Sequence, residues 1–136
     1  MFRFILIALA LRFQVETGHV AYYSQGVMES VVAVRQAGWT AGPLPADLPP
    51  VVGFVARPRC DEIGRLVWLL WDDGDLEGPF LVADCANQVE GHYTRMVRRG
   101  IVAEVDWNTV TRRGIRGLGP ECNFAAVIGL REGRHD

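Results

Sequence analysis

Hydrophobic positions in this chain come in short stretches cut by glycine and proline, and most stretches are too short for helices. Residues 17–25, Thr-Gly-His-Val-Ala-Tyr-Tyr-Ser-Gln, are rich in strand formers and stop at Gly26. Residues 28–36 carry valines that suit a strand as well as a short helix, so their pattern leaves both open. Between residues 37 and 50, Gly38, Gly42, Pro43, Pro45, Pro49 and Pro50 predict a long surface loop, because proline cannot donate to a ladder and restricts the residue before it. Residues 51–57 and 65–71 read as strands joined by 58–64, and the second, Arg-Leu-Val-Trp-Leu-Leu-Trp, is apolar on both faces, as a central strand is. Asp72, Asp73, Gly74 and Asp75 make an acidic hairpin turn. The remaining ligand positions of a calcium loop are missing there.

Further strands follow over residues 79–84, with Pro79 at the tolerated first position, over 101–107, and over 124–130. The polar stretch 86–100, with Arg95, Arg98 and Arg99, reads as a solvated face, and residues 108–113 as a helical turn capped by Asp106 or Asn108. About six short strands with little helix imply a mainly β fold, a small barrel or sandwich. Tyr22 and Tyr23 are adjacent on a strand and must point to opposite faces.

The leading segment has Arg3, an apolar run over residues 4–11 and then Arg12. A run this short cannot span a bilayer, and no other segment is a candidate, so stable membrane insertion is not expected. It sketches an export signal, although Arg12 interrupts it and no cleavage site follows. The alternative is a first strand or short helix packed on the core. Residues 1–16 are therefore treated as a leading segment and 17–136 as one domain, which suits a chain of 136 residues.

Composition narrows the chemistry. Apolar residues make up 49% of the chain and charged residues 22%, within the range of sequences that fold. Fourteen basic residues against sixteen acidic ones leave a net charge of -2, which argues against a nucleic-acid partner. Every basic residue is arginine, so Schiff-base and P-loop chemistries that need lysine are excluded. Cys60, Cys85 and Cys122 include no C-x-x-C pair, no zinc spacing is present and no cofactor motif occurs. A Cys60–Cys85 bridge would be worth about 3 kcal/mol by loop closure in an oxidising compartment. In a reducing cytosol all three would be small buried hydrophobes.

Two carboxylates stand out. Asp84 ends an apolar strand, where partial desolvation at a barrel mouth would suit a general acid, or where it would accept hydrogen bonds from its own following turn. Asp106 is either its partner or the helix cap. His19 and His92 could act as acid, base or ligand, whereas His135 lies in a polar tail. Nothing in the sequence orients a Cys85–His92 nucleophile pair. An exposed tyrosine together with Trp39, Trp71 or Trp107 could stack on a sugar ring, although most such aromatics belong to cores.

Taken in order, Val-Ala-Tyr-Tyr at residues 20–23, Cys60 with Ile-Gly-Arg-Leu-Val at 63–67, Phe-Leu-Val-Ala-Asp-Cys at 80–85, and Val-Asp-Trp at 105–107 before a helical turn resemble the double-psi β-barrels. These are the barrels of the expansin, barwin and rare lipoprotein A groups and of the 3D domains. The resemblance covers roughly residues 18–116. It implies a six-stranded barrel whose groove binds cell-wall polysaccharide, peptidoglycan or a cellulose-like glycan, in a secreted, periplasmic or wall-associated protein. It places Asp84 on the strand-end aspartate proposed as general acid in the family's glycan-cleaving members, Asp106 on the aspartate before the helix, and Tyr22 or Tyr23 on the groove aromatic. A lytic transglycosylase needs one such acid because the substrate's own hydroxyl attacks, whereas hydrolysis canonically uses two carboxyl groups. A non-catalytic binding or structural barrel is the alternative. The chain departs from the family at Ala83-Asp84-Cys85-Ala86-Asn87, where cleaving relatives have Asn-Asp-Arg-Gly-Pro, at Trp107-Asn108, where Leu-Ser is usual, and in residues 26–50, which lack the family's polar loop residues. An aspartic-protease-like dimer is disfavoured, because Cys85 and Ala86 replace the residues that orient its dyad.

Overall fold

The structure is a computed structural model, and it describes residues 13–40, 42–86 and 91–130. The apolar run at 4–11, the turn residues Asn87 and Gln88, and His135 lie outside the described residues. Six strands form a closed barrel: β1 (Phe13–Tyr22), β2 (Gly53–Arg57), β3 (Leu66–Trp71), β4 (Leu76–Cys85), β5 (Ile101–Val105) and β6 (Phe124–Leu130). They neighbour one another in the order β1-β5-β2-β4-β3-β6, so each strand has a partner on both sides and no edge is left open. The pairing is mixed: β1 with β5 and β2 with β4 run parallel, the other four pairs antiparallel. This closed six-stranded mixed barrel is compatible with a double-psi fold.

Alternation along the strands fills the inside. Val20, Val55, Val67, Leu69, Trp71, Phe80, Val82, Ala103, Val105, Ala125 and Val127 are buried in one cluster. In β3 buried positions alternate with more open ones, and Leu70 is exposed. The apolar run at 65–71 is therefore not a strand buried on both faces; in a closed barrel outward residues are covered only where another element packs on them. Strand β4 extends further than its sequence pattern suggests, and Pro79 lies inside it after a cis peptide bond to Gly78. The acidic turn joins β3 to β4 as expected, with Gly74 at φ 93°.

Three helices are present among the described residues: α1 (Val27–Gln36), α2 (His92–Arg98) and α3 (Trp107–Arg113). The undecided valine segment is α1. Gly26 starts it at φ 81°, and Met28, Val32 and Arg35, spaced as i, i+4 and i+7, face inward. This helix covers the outside of the barrel, where Met28 and Val32 join Ala56, Leu81, Ala83 and Leu44 in a second cluster. Leu44 anchors the proline-rich loop, which contains no regular element among its described residues. The polar stretch after β4 contains α2, which buries only Met96, against Ala86 and Ile101, and leaves its arginines exposed as its polarity predicts.

Candidate functional site: a carboxylate pair beside helix α1

Cys60 and Cys85 form a disulfide, with Cα atoms 4.9 Å apart, and Cys122 is a free, exposed thiol. Sulfur held in a disulfide is no nucleophile, which removes the Cys85–His92 pair. The bridge ties the end of β4 to the short 3-10 turn Cys60–Glu62, next to Asp84.

Asp84 neither hangs free at a barrel mouth nor folds back on its own turn among the described residues. Its carboxylate is gripped by two elements distant in sequence. Tyr23, immediately after β1, donates its hydroxyl to Oδ2 at 2.6 Å. Arg35, in the last turn of α1, donates Nη2 to Oδ1 at 2.7 Å. The guanidinium is held in turn by the hydroxyl of Thr40 and the carbonyl of Gly42 at the start of the proline-rich loop. The Arg35 side chain is 9% exposed and that of Asp84 18%. Burial, then the hydrogen bond to Asp84 and its negative charge, drive the Tyr23 phenol far above its ordinary range, so Tyr23 stays protonated and donating. With one donor on each oxygen, Asp84 retains lone pairs for ligand hydroxyls.

A second carboxylate shares this face. The strand register sets Ala21 opposite Glu104, Glu104 opposite Ala56, and Ala56 opposite Asp84. The row crosses β1, β5, β2 and β4, with a bulge between Val55 and Ala56. Glu104 and Asp84 are therefore two inter-strand spacings apart, roughly 10 Å along the sheet. His92, the first residue of α2, brings Nε2 to 3.6 Å from Glu104 Oε1, and the Glu104 side chain is 16% exposed. Burial raises the Glu104 carboxyl, the negative charge of Asp84 adds to the rise, and His92 and Arg95 oppose it.

Asp106 is in a different setting. It occupies the N-cap position of α3, but its side chain caps no backbone group; it accepts from the Thr109 hydroxyl. Asp106 is 2% exposed. A Cβ at Gly53 would lie 2.9 Å from its Oδ1 and 2.8 Å from Thr109 Oγ1, so Gly53 is what lets β2 approach. Desolvation raises its carboxyl above the ordinary range. The structure encloses Asp106 at the start of α3 and does not bring it to Asp84, so it supports no pairing of the two.

The tyrosines diverge as their alternation demands, and both are half-buried. Tyr22 turns to the α3 end of the barrel, where its ring centroid lies 6.1 Å from that of Trp107 and its hydroxyl accepts from the Gly117 amide. The Arg116 guanidinium lies 5.8 Å from the Trp107 ring. Trp107 is half-buried, Trp71 belongs to the core, and Trp39 projects from the loop after α1, 79% exposed. His19 stacks edge-on against Phe124. A cavity of about 290 Å³ opens on the other side of α2, lined in part by Glu16, Arg57, Glu62, Tyr93 and Val97. Neither Asp84 nor Glu104 lines it, and Arg57 within it is engaged by Glu16, Glu62 and the Val102 carbonyl.

No group of three or more potential metal ligands occurs among the described residues, and no helix among them is long and apolar enough to cross a membrane. Sequence reasoning found Asp84 and Tyr23 but missed Arg35 and Glu104. A lone glutamate inside the apolar run Ile-Val-Ala-Glu-Val was the available signal for the second. Fold and site together define a closed six-stranded mixed β-barrel with an outward-facing carboxylate pair. No family model, no curated protein and no solved structure matches the chain.

Proposed function

We propose that this is an exported, wall-associated double-psi barrel that binds cell-wall polysaccharide and cleaves it by the lytic transglycosylase route. The observation that carries the reading is the Asp84 carboxylate, fixed at a strand end by Tyr23 and Arg35 and still partly open. A carboxylate held this way binds vicinal sugar hydroxyls and faces positive charge developing on an anomeric carbon. The exposed Trp39, next to Thr40 in the loop that holds Arg35, offers a ring face on which a sugar can stack. The Cys60–Cys85 disulfide fits an oxidising compartment. The test is cosedimentation of the purified protein with peptidoglycan and with cellulose, followed by analysis of the supernatant. Wild type is expected to pellet with one glycan and release soluble product, and Asp84→Asn to lose at least ten-fold in either. No binding and no product from wild type would defeat the reading.

One observation favours a second reading. The Arg35–Asp84 pair joins α1 to β4, so Asp84 also serves as a structural tie. On that reading Asp84→Asn lowers the melting temperature and leaves glycan binding intact.

A further inference from the structure

We propose that Glu104, supported by His92, delivers the proton to the leaving glycosidic oxygen, while Asp84 remains the anion that faces the reacting carbon. The inference rests on the glycan-cleaving reading above and assigns its proton.

Geometry separates the two carboxylates. Both oxygens of Asp84 already accept hydrogen bonds, one from the permanently charged Arg35 and one from Tyr23. A group so held stabilises positive charge better than it gives up a proton. Glu104 sits on the same face across Ala56, and among the described residues its ion-pair partner is His92 rather than an arginine. The groups that face it are His92 and Arg95 from α2, Asp84 from β4 and Tyr23 after β1. His92 stands at 3.6 Å, beyond a good hydrogen bond, and through a small motion can donate to the carboxylate left once Glu104 has delivered its proton. The Nδ1 of His92 contacts the Arg95 guanidinium at 3.1 Å, which sets it as an acceptor and leaves Nε2 to carry the proton toward Glu104. One carboxylate with a charged donor on it and a second on the same face without one is an arrangement in which the two can take different roles.

The step balances within the substrate. The Glu104 proton moves to the glycosidic oxygen, the bond from that oxygen to the anomeric carbon breaks with its electron pair on oxygen, and Asp84 faces the positive charge left on carbon. A hydroxyl of the same sugar then attacks that carbon and returns its proton to Glu104, giving an intramolecular anhydro ring without water. No proton is consumed overall.

Peptidoglycan is the probe, with wild type, Glu104→Gln, Asp84→Asn and His92→Gln compared for pelleting and, by mass spectrometry, for release of anhydro-ended fragments. Glu104→Gln is expected to bind within two-fold of wild type and to release product at least 100-fold more slowly, the scale of a lost general acid. His92→Gln is expected to move the alkaline limb of the pH–rate profile and to leave binding unchanged. If wild type binds and Glu104→Gln releases product at the wild-type rate, or wild type binds and releases nothing, the assignment of Glu104 is overturned and polysaccharide binding stands. If wild type neither binds nor cleaves, the underlying reading fails instead. A carbon-13 carboxyl titration of the wild-type protein tests the assignment without substrate: Glu104 ionising below the ordinary glutamate range would overturn it.

Discussion

Two clusters of arginine and carboxylate sit on this barrel, and they are built to different ends. At the β3–β4 hairpin, Arg113 from α3 meets three carboxylates, Asp73 at 2.6 Å, Glu77 at 2.9 Å and Asp75 at 3.3 Å, and lies over the Trp71 ring at 4.3 Å. Arg112 adds a 2.7 Å contact to Glu77. Cations and anions there interlock at a solvent-exposed turn, and the arginine offsets the repulsion between Asp73 and Asp75. At the other cluster Arg35 pairs with Asp84 through Nη2 while Thr40 and Gly42 hold its Nη1, and Glu104, across one alanine, faces a partly exposed histidine. A structural cluster closes its charges; the second leaves one carboxyl only partly compensated, and that asymmetry points to a site.

The sharpest way to break the comparison is to remove each arginine. Arg35→Met strands a carboxylate that is only 18% open, and about 3 kcal/mol of stability is expected to go. Urea unfolding at neutral pH measures this, and adding Asp84→Asn to the same chain should restore most of the loss. A cost below about 1 kcal/mol would show that Asp84 has water enough and that the two clusters are alike. Arg113→Met is the paired experiment. Its side chain is well covered, but Asp73 and Asp75 are more than half exposed and rehydrate easily, so the expected loss is smaller, about 1–2 kcal/mol, and shrinks in high salt.

The contrast was only half readable in the sequence. Strands showed through their short apolar runs, the hairpin through Asp73-Gly74, and Asp84 through its place at the end of Phe-Leu-Val-Ala. What those runs lacked was register. Glu104 matters because β2 carries Ala56 between it and Asp84, and a mixed barrel pairs β5 with β2 across nearly fifty residues, which no local pattern encodes. Arg35 is equally silent: its segment, Met-Glu-Ser-Val-Val-Ala-Val-Arg-Gln, suits either a helix or a strand, and only the helix places Arg35 on the same face as Met28 and Val32, against the barrel. Asp106 went the other way. Its place before a helical turn is that of a cap, yet Gly53 admits the strand so closely that the carboxyl turns to Thr109 and is sealed in.

The finest discrimination comes from one glutamate in each cluster, because pH acts on them with opposite sign. For Glu77, burial opposes ionisation, but the hydrogen bonds and charges of Arg112 and Arg113 outweigh it and hold the carboxyl below its ordinary 4.5. Its ionised form is favoured by folding, so Glu77 adds stability above the unfolded value, and that contribution is lost as pH falls through the folded one. For Glu104, burial wins over His92 and Arg95, and the folded carboxyl lies above 4.5. Folding favours its protonated form, so its contribution is complete below the unfolded value and is lost as pH rises through the folded one. Glu77→Gln is therefore expected to lower the melting temperature at pH 7, and Glu104→Gln to raise it slightly; the Glu104 difference shrinks toward zero below about pH 4, where that glutamate is protonated in both states, and the Glu77 difference fades only at lower pH, as pH falls through its depressed folded value. Thermal melts of the two variants from pH 3 to 8 check this. Two curves that diverge from wild type in opposite directions with rising pH keep the clusters distinct. A Glu104→Gln curve that falls beside that of Glu77→Gln would make Glu104 one more closed ion pair, its charge stabilised by His92 and Arg95 as fully as that of Glu77 is by its arginines.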